Sequence, residues 1–409
     1  MAAEVFNLNI DHGGGWLIGL SEDLKNYENN SLHIIFFHNN INSLEIHHID
    51  NITYYAIPKK IMDPCKYEPN VETYLQGVIK AVNPDIIHIF GTEYPHTLAM
   101  MNVCPVDRTV VSIQGLVSVY SRHYISNLSF FMQPNSRIIK NYLRKKMILR
   151  QQKRFEIRGL FEVEALKKAK HVIGRTTWDY ACTKQINKNV NYYFCNETLR
   201  GEFYKHKWTI DNCERFSIFV SQGVYPIKGL HIILQALSEI LKFYPQAHLY
   251  IAGADITKGK SLTDRVGISY GQYIRELIEE LQLIKHITFT GELNEKAMCM
   301  QFLKAHVFVS ASSIENSPNS LGEAMILGVP SVSSCVGGVQ DMLSHKEEGY
   351  LYPFDESYML AHYVCEVFSN DEISLKLSER ATKRALTTHN RENNLINLMK
   401  IYREIIKYN

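Results

Sequence analysis

The sequence predicts an α/β protein built from two doubly wound domains, each a parallel sheet flanked by helices. Short apolar runs alternate with amphipathic helical patterns along the chain, which is typical of repeated βα units. The pattern restarts after a polar stretch at 196–212, which is the expected linker. A chain of 409 residues also exceeds one ordinary hydrophobic core, so two domains of roughly 200 residues each are expected.

The predicted strands form two series. In the first half they are Leu32–Phe37, Ile52–Ile57, Asp85–Gly91, Thr109–Gln114, His171–Arg175 and Asn191–Cys195. In the second half they are Arg215–Ser221, His248–Gly253, His286–Thr290, Val307–Ala311 and Pro330–Cys335. Residues 1–12 read as polar and irregular, so either Val5–Ile10 is a weakly encoded first strand or the first strand is missing from this chain.

Domain limits follow from the restart of the pattern. We predict an N-terminal domain at 1–200 and a C-terminal domain at 201–390, both Rossmann-like. A terminal helix at 391–409 carries an apolar face and is expected to pack back toward the N-terminal domain. Ligands of open α/β sheets bind beyond the carboxyl ends of the strands, so functional residues are sought in the loops that follow strands.

Bulk composition excludes several classes of protein. A net charge of +2 gives the whole chain no electrostatic case for nucleic acid. Eight dispersed cysteines without a CxxC pair are typical of reduced thiols. No apolar stretch approaches the ~20 residues that span a bilayer, and the first thirty residues lack the apolar core of a signal peptide. The expected location is cytoplasmic.

The main functional candidate is the segment 307–330, with the sequence VFVSASSIENSPNSLGEAMILGVP. A buried strand is followed by a polar loop, and a helix is expected to begin near Pro318 and to end at Gly328. Backbone N–H groups of Asn319, Ser320 and Leu321 would then be free to bind phosphate. Two glutamates eight residues apart are weak evidence alone, since they are also expected as a capping carboxylate and an exposed helix carboxylate.

Residues 215–352 resemble the retaining glycosyltransferases of family four, which have two facing Rossmann-like domains (the GT-B architecture). The matching residues are Lys228-Gly229, Gly253, Phe289-Thr290-Gly291, Glu315 to Glu323 with Glu323-Ala324-Met325, Gly328-Val329-Pro330 and Gly337-Gly338. The resemblance implies that Lys228 binds the donor diphosphate. It also implies that Glu315 binds hydroxyls of the transferred sugar and that Glu323 binds the ribose.

These implied roles agree with the chemistry. Cleavage of a glycosyl phosphate places negative charge on the diphosphate and positive charge on the sugar, which suit a lysine and a carboxylate respectively. The chain contains no Asp-x-Asp and no HExxH, which argues against metal-dependent chemistry; we predict no metal site and no tightly bound cofactor. The resemblance also implies that the domain at 1–200 binds the acceptor and that the domain at 201–390 binds the sugar nucleotide. It further implies retention by front-side substitution, in which the donor's own phosphate accepts the proton of the acceptor.

Two positions depart from the family pattern. Gly223 stands where the family usually has an arginine five residues before the lysine, and the loss of one charged phosphate contact typically costs about 1.5–3 kcal/mol. Arg175 is the candidate substitute, with an ion pair to Asp179 as the alternative. Gln114 stands where the family often has a histidine, so it can donate a hydrogen bond but cannot act as an acid; the alternative is a satisfied glutamine at a strand end.

Candidate acceptor residues lie in the N-terminal half. Gly14 and Gly15 belong to a glycine run that lets the backbone approach a ligand closely. The resemblance implies that this loop faces the donor phosphates and the acceptor; a simple turn is the alternative. Glu93 and His96 follow a predicted strand and are placed to meet acceptor hydroxyls.

The segment 137–158 is rich in lysine and arginine interleaved with apolar residues. Such a basic amphipathic segment is typical of contact with an anionic membrane surface, at ~1 kcal/mol per basic residue. A polyprenyl-linked acceptor would explain both kinds of residue; a solvated helix face is the alternative. No nucleic-acid recognition motif accompanies the charge.

The sequence therefore predicts a hexosyltransferase-like enzyme. It would move a sugar from a nucleoside-diphosphate donor, UDP-sugar favoured, to a saccharide or lipid-linked acceptor in capsule-type polysaccharide or glycolipid synthesis. Two alternatives stay open. One is a sugar-nucleotide epimerase or hydrolase on the same fold. The other is a weakly active nucleotide-binding partner of another transferase, suggested by Gly223 and Gln114.

Overall fold

The computed structural model describes residues 15–27, 30–60, 63–126, 128, 138–258 and 265–407. Val5–Ile10 and Gly14 lie outside these ranges. The chain divides into two compact units. Unit 1 comprises Met1–Ser118, Phe155–Thr198 and Asn390–Asn409, and unit 2 comprises Val119–Arg154 and Leu199–His389. The predicted boundary at 200/201 thus lies two residues from a structural one, whereas the assignment of Val119–Arg154 to unit 2 has no counterpart in the sequence prediction.

The described residues of unit 1 form seven strands. They are β1 (Leu32–His38), β2 (Glu45–Ile49), β3 (Ile52–Pro58), β4 (Ile87–Phe90), β5 (Thr109–Ser112), β6 (His171–Gly174) and β7 (Asn191–Phe194). Its helices are α1 (Gly15–Lys25), α2 (Asn70–Val82), α3 (Pro95–Val103), α6 (Thr177–Ile186) and α14 (Arg391–Lys407); α4 (Val117–Tyr120) and α5 (Ile138–Lys168) run across the division between the units.

Two sheets form the frame of unit 1. β4, β5, β6 and β7 make a parallel sheet in that order, and β1, β3 and β2 make a smaller one in which β2 is antiparallel to β3. Helix α14 packs into the core of this unit, where Ile405 is fully buried beside Val110 of β5. The hydroxyl of Tyr402 lies 2.6 Å from Nδ1 of His88, so the last helix also satisfies a buried ring of β4.

Unit 2 contains the other elements. Its strands are β8 (Glu214–Val220), β9 (His248–Ala252), β10 (Ile287–Gly291), β11 (Ala305–Ser310), β12 (Ser331–Ser334) and β13 (Tyr350–Tyr352). Its helices are α7 (Leu230–Ile240), α8 (Arg265–Glu280), α9 (Glu295–Lys304), α10 (Asn319–Leu327), α11 (Val339–Met342), α12 (Ser357–Ser369) and α13 (Asp371–Thr388).

The six strands of unit 2 form one parallel sheet in the order β10-β9-β8-β11-β12-β13. The central strand β11 is buried along nearly its whole length, which explains its continuous apolar run. Because β8 and β11 are neighbours, the loops after their carboxyl ends meet at one edge of the sheet. Those loops contain Lys228 and Glu315, so the topology itself brings the two predicted residues together.

Helix α5 is 31 residues long and carries most of the basic segment. Its charge is too high for a bilayer, and no helix within the described ranges is long and apolar enough to cross one.

Candidate functional site

The centre of the site in unit 2 is an ion pair. Lys228 Nζ lies 2.6 Å from Glu315 Oε1, and the hydroxyl of Ser312 donates to the same oxygen at 2.6 Å. The side chain of Glu315 is 10% exposed and that of Lys228 is 27% exposed. The pair is therefore fixed on the carboxylate side and reachable by a ligand on the ammonium side.

The backbone around this pair is closely packed. Gly229, directly after Lys228, has φ +68°, and a Cβ there would lie 1.8 Å from the carbonyl oxygen of Ala311. Gly337 has φ +51°, and a Cβ there would lie 1.9 Å from the carbonyl oxygen of Glu315. Glycine is the residue that tolerates both the positive φ and the close approach. These two glycines therefore hold the Lys228 and Glu315 loops at a fixed separation.

Helix α10 begins beside Glu315, with Pro318 as its N-cap. The N–H of Leu321 donates to the carbonyl oxygen of Pro318 at 3.0 Å. This corrects the expectation of a free Leu321 amide: the carbonyl of an N-cap residue accepts the first hydrogen bonds of its helix. Asn319 and Ser320 precede it at the positive end of the helix dipole, where an anion is favoured.

Glu323 is paired with a residue that the sequence analysis missed. Arg200 Nε lies 2.6 Å from Glu323 Oε1 and Arg200 Nη2 lies 2.7 Å from Glu323 Oε2, a two-pronged contact. The Glu323 side chain is 5% exposed. Burial raises the pKa of the Glu323 carboxyl, and the Arg200 guanidinium opposes that shift. Each carboxylate oxygen of Glu323 keeps a second lone pair that can accept another hydrogen bond. A ribose hydroxyl would therefore bind a carboxylate that Arg200 also binds.

Gly223 lies where an arginine was expected from the family pattern. A Cβ at this position would lie 3.0 Å from Leu230 Cδ2 and 3.2 Å from Ile251 Cγ2, so both neighbours would have to move slightly. A side chain at this position would therefore press against Leu230 and Ile251. Gly253 follows β9 with φ +100°, and its N–H donates to the carbonyl oxygen of Gly291 at 2.9 Å.

In unit 1, Gln114 and Arg175 both bind Glu197, another residue that the sequence analysis missed. The amide nitrogen of Gln114 donates to Glu197 Oε1, and Arg175 Nη1 lies 2.8 Å from Glu197 Oε2. The side chain of Arg175 is 5% exposed. Asp179 instead accepts the backbone N–H of Arg175 and caps α6. The guanidinium of Arg175 is thus compensated by Glu197, and neither alternative considered from the sequence named this partner.

Ser112, Arg175 and Glu197 line a cavity of about 40 Å³ in unit 1. About 10–15 Å³ of volume measured in this way is enough for one water, so the cavity is large enough to hold ordered water.

The two acceptor candidates are both engaged within unit 1. Glu93 Oε2 accepts the backbone N–H of Thr92 at 2.8 Å, and burial raises the pKa of the Glu93 carboxyl. His96 Nε2 lies 2.9 Å from Lys59 Nζ, and the ring packs on Phe37. Burial and then the Lys59 charge lower the pKa of His96 to about 3. The ring is therefore neutral and accepts a hydrogen bond from the Lys59 ammonium.

The remaining candidates belong to the glycine run and to the basic segment. Gly15 is the first residue of α1, and Gly14 lies outside the described residues. Within the basic segment, Arg137 is also outside them. Lys145, Lys146, Arg150 and Lys153 are exposed. Arg158 instead donates to the carbonyl oxygen of Glu93 at 2.8 Å and packs over Tyr94, so it supports the fold of unit 1.

Over the ranges that the structure describes, no three His, Cys, Asp or Glu side chains are grouped as metal ligands.

Comparison with known sequences gives matches that centre on unit 2. The family model described as Glycosyl transferases group 1 matches residues 201–384. The putative glycosyltransferase YtcC of Bacillus subtilis (strain 168) is 26% identical over 286 residues, which are 66% of this chain and 67% of that protein. Further curated relatives match over 33–52% of their own length.

Comparison with solved structures extends over both units. Sucrose-phosphate synthase from Thermosynechococcus elongatus is similar with a TM-score of 0.69 at 16% identity, over 96% of this chain and 92% of that one. Anabaena Alr3699/HepE in complex with UDP and glucose gives a TM-score of 0.66 at 14% identity, over 96% and 97%. The predicted fold class is confirmed: the chain has the GT-B fold, with two Rossmann-like domains. Together the sequence matches show that this chain is similar to group 1 glycosyltransferases, chiefly over unit 2.

Proposed function

We propose that this protein is a retaining, metal-independent glycosyltransferase. It would move a hexosyl group from a UDP-sugar to a saccharide or lipid-linked acceptor in the synthesis of cell-surface polysaccharide or glycolipid. The observation that carries the proposal is the Lys228–Glu315 pair, 2.6 Å apart, beside the N-terminus of α10. A cation, a carboxylate and a helix N-terminus lie together here, and these groups suit the charges that develop when a glycosyl phosphate bond breaks.

Each group has a distinct task in the proposed reaction. When the donor's glycosyl bond breaks, the departing diphosphate gains charge that Lys228 and the amides of Asn319 and Ser320 stabilise. Glu315 binds the sugar and faces the positive charge that develops on it. The donor phosphate accepts the proton of the attacking hydroxyl on the same face, so the configuration is retained without a nucleophile from the protein.

UDP is the proposed nucleotide because a similar fold, Anabaena Alr3699/HepE, has been solved in complex with UDP and glucose. The panel that tests this choice contains UDP-, GDP-, ADP- and TDP-sugars with EDTA present throughout. We expect a UDP-sugar at a hundred times its dissociation constant to add about 2.7 kcal/mol to the free energy of unfolding, because it binds the folded state alone. Thermal denaturation measures this shift.

The variant that tests the role of the lysine is Lys228→Met, which keeps the length of the side chain and removes its charge. It should abolish most of the UDP-dependent shift without changing the melting temperature of the free protein by more than a few degrees. Equal stabilisation of the variant and the original chain, or a shift that appears only with added Mg²⁺, would contradict the proposal.

Two observations favour the alternatives in part. Gly223 supplies no second cation for the diphosphate, and Gln114 is bound to Glu197. A sugar-nucleotide epimerase or hydrolase would convert the donor without any acceptor, which product analysis by mass spectrometry detects. A weakly active partner protein would bind UDP yet transfer no sugar when it is the single protein in the assay.

We also propose that the enzyme works at the cytoplasmic face of a membrane. Lys145, Lys146, Arg150 and Lys153 are exposed along one stretch of α5, close to the exposed Leu149. Basic residues near anionic lipid contribute ~1 kcal/mol each, so four of them can hold the protein at a surface.

Replacement of these four residues by glutamate should therefore reduce sedimentation with phosphatidylserine-containing vesicles at least tenfold. A matched control carries glutamate at Lys285, Lys296, Lys383 and Lys400, which are also exposed and change the net charge equally. Equal loss of binding in the two variants would indicate an effect of net charge and would rule out a specific surface on α5.

A further inference from the structure

A short segment before α5 is hydrogen-bonded to the loop that carries Glu315. The N–H of Asn316 donates to the hydroxyl oxygen of Tyr120 at 3.0 Å, and the hydroxyl of Ser313 donates to the carbonyl oxygen of His123 at 3.0 Å. These two contacts lie on either side of Glu315. Residues 120–126, which we call the brace, thus hold both flanks of that glutamate within unit 2.

The opposite side of the same loop is held by three other segments of unit 2. The N–H of Ser313 donates to the carbonyl oxygen of Ile227 at 2.8 Å, and the N–H of Gly338 donates to the carbonyl oxygen of Glu315 at 3.0 Å. The hydroxyl of Ser334 donates to the carbonyl oxygen of Ser312 at 2.6 Å. None of these bonds satisfies the N–H of Asn316, a residue that is 1% exposed. The Tyr120 hydroxyl provides that acceptor, and a buried N–H without one would be costly.

The far end of the brace has its own anchor. His231 Nε2 lies 3.2 Å from the carbonyl oxygen of Ser126, and His231 Nδ1 lies 3.0 Å from the hydroxyl of Tyr270. Burial lowers the pKa of His231 to about 4, so the ring is neutral at pH 7. Because a carbonyl only accepts, Nε2 carries the proton and Nδ1 accepts from Tyr270. The anchor thus depends on one tautomer of a buried ring.

We propose that Tyr120 is a positioning residue for the reaction, which sets Glu315 against the transferred sugar by holding the backbone of Asn316. The inference rests on the proposed function for its catalytic consequence. It goes beyond that function because Tyr120 itself touches neither Lys228 nor the carboxylate of Glu315 in any contact described above. A shift of under an ångström in a positioned group is enough to slow catalysis, so loss of one bond at this point has a measurable effect.

The test is Tyr120→Phe, which removes one hydroxyl and keeps the ring. We expect kcat for transfer from UDP-glucose to fall about five- to tenfold, while the dissociation constant for UDP alone stays within about twofold. The split is expected because the hydrogen bonds of the brace described above go to the loop that carries Glu315 and to His231. Amide hydrogen exchange measured on the peptide 313–317 should accelerate in the variant, since the Asn316 N–H loses its acceptor.

Tyr352→Phe is the matched control. Tyr352 is a fully buried tyrosine of unit 2 whose hydroxyl has no hydrogen-bond partner among the described residues, so its removal should change none of the three measurements. An unchanged exchange rate at 313–317 in Tyr120→Phe would overturn the proposal. So would a parallel fall in kcat, UDP affinity and melting temperature, which indicates general loosening. Suppose that exchange at 313–317 is faster in Tyr120→Phe but the original chain transfers no sugar. This result would refute the proposed function and would leave the structural role of the brace standing.

Discussion

Replacement of Glu315 by glutamine is expected to lower the rate of sugar transfer by about 10²–10³-fold, with the affinity for UDP changed less than about threefold. Glutamine preserves the size of the side chain and can still accept from Ser312, so the loop should keep its shape. What disappears is the negative charge that faces the developing positive charge on the sugar. The loss therefore falls on the transition state and leaves nucleotide binding largely intact.

Steady-state kinetics with the preferred UDP-sugar and calorimetric titration with UDP separate these two effects. Glu280→Gln is a suitable control, because Glu280 is an exposed glutamate at the end of α8. A variant at Glu315 that transfers sugar at the original rate would remove this residue from the mechanism. A variant that loses UDP affinity and rate in equal proportion would instead assign Glu315 to nucleotide binding.

The largest effect on stability is expected from Arg200→Met, which should lower the free energy of unfolding by about 3–5 kcal/mol at pH 7.5. Methionine fills much of the same volume but leaves the Glu323 carboxylate buried without its two-pronged partner. Urea denaturation measures the loss.

The same variant should be less impaired in acid. Burial raises the pKa of Glu323 in the folded protein, and removal of Arg200 takes away the interaction that opposes this rise. A carboxyl with a raised folded-state pKa contributes stability below its unfolded pKa, about 4.3, and loses that contribution as the pH rises through the folded value. The deficit of Arg200→Met should therefore be smaller at pH 5.0 than at pH 7.5.

A double variant provides the control for this argument. Arg200→Met with Glu323→Gln no longer buries a charge, so it should recover a large part of the lost stability at pH 7.5 and show little extra dependence on pH. Equal deficits at both pH values, together with no recovery in the double variant, would show that Arg200 acts through its packing on Phe203 rather than through Glu323.

The sequence predicted the elements with strong internal patterns. Eleven strands were expected, and each corresponds to an observed strand within two residues at either end, because buried parallel strands are continuous apolar runs. The two missed strands are β2 and β13. Strand β2 reads Glu-Ile-His-His-Ile at the antiparallel edge of a small sheet, and β13 has three residues, so neither shows the apolar run used as the signal.

The sequence pointed to candidate residues that follow recognisable strands, and it gave no sign of partners that lie outside such motifs. Lys228 and Glu315 each follow a recognisable strand, and the neighbouring positions of β8 and β11 bring them together. Arg200 and Glu323 are 123 residues apart, and nothing local to either marks the other. Glu197 was likewise missed, because it lies in the polar linker and a single glutamate there forms no recognisable motif. Tyr120 lies before the basic helix, in a stretch whose sequence did not indicate that it belongs to unit 2.

The packing of Gly223 limits how this donor site can be altered. The Cβ of an arginine introduced there would press against the side chains of Leu230 and Ile251, which would have to move by a few tenths of an ångström. Overpacking of a buried site commonly costs about 1–3 kcal/mol, similar to the gain from one charged phosphate contact. A mutational path toward tighter donor binding should therefore first pass through a smaller residue at Leu230 or Ile251, so that directed evolution would have to sample pairs of substitutions.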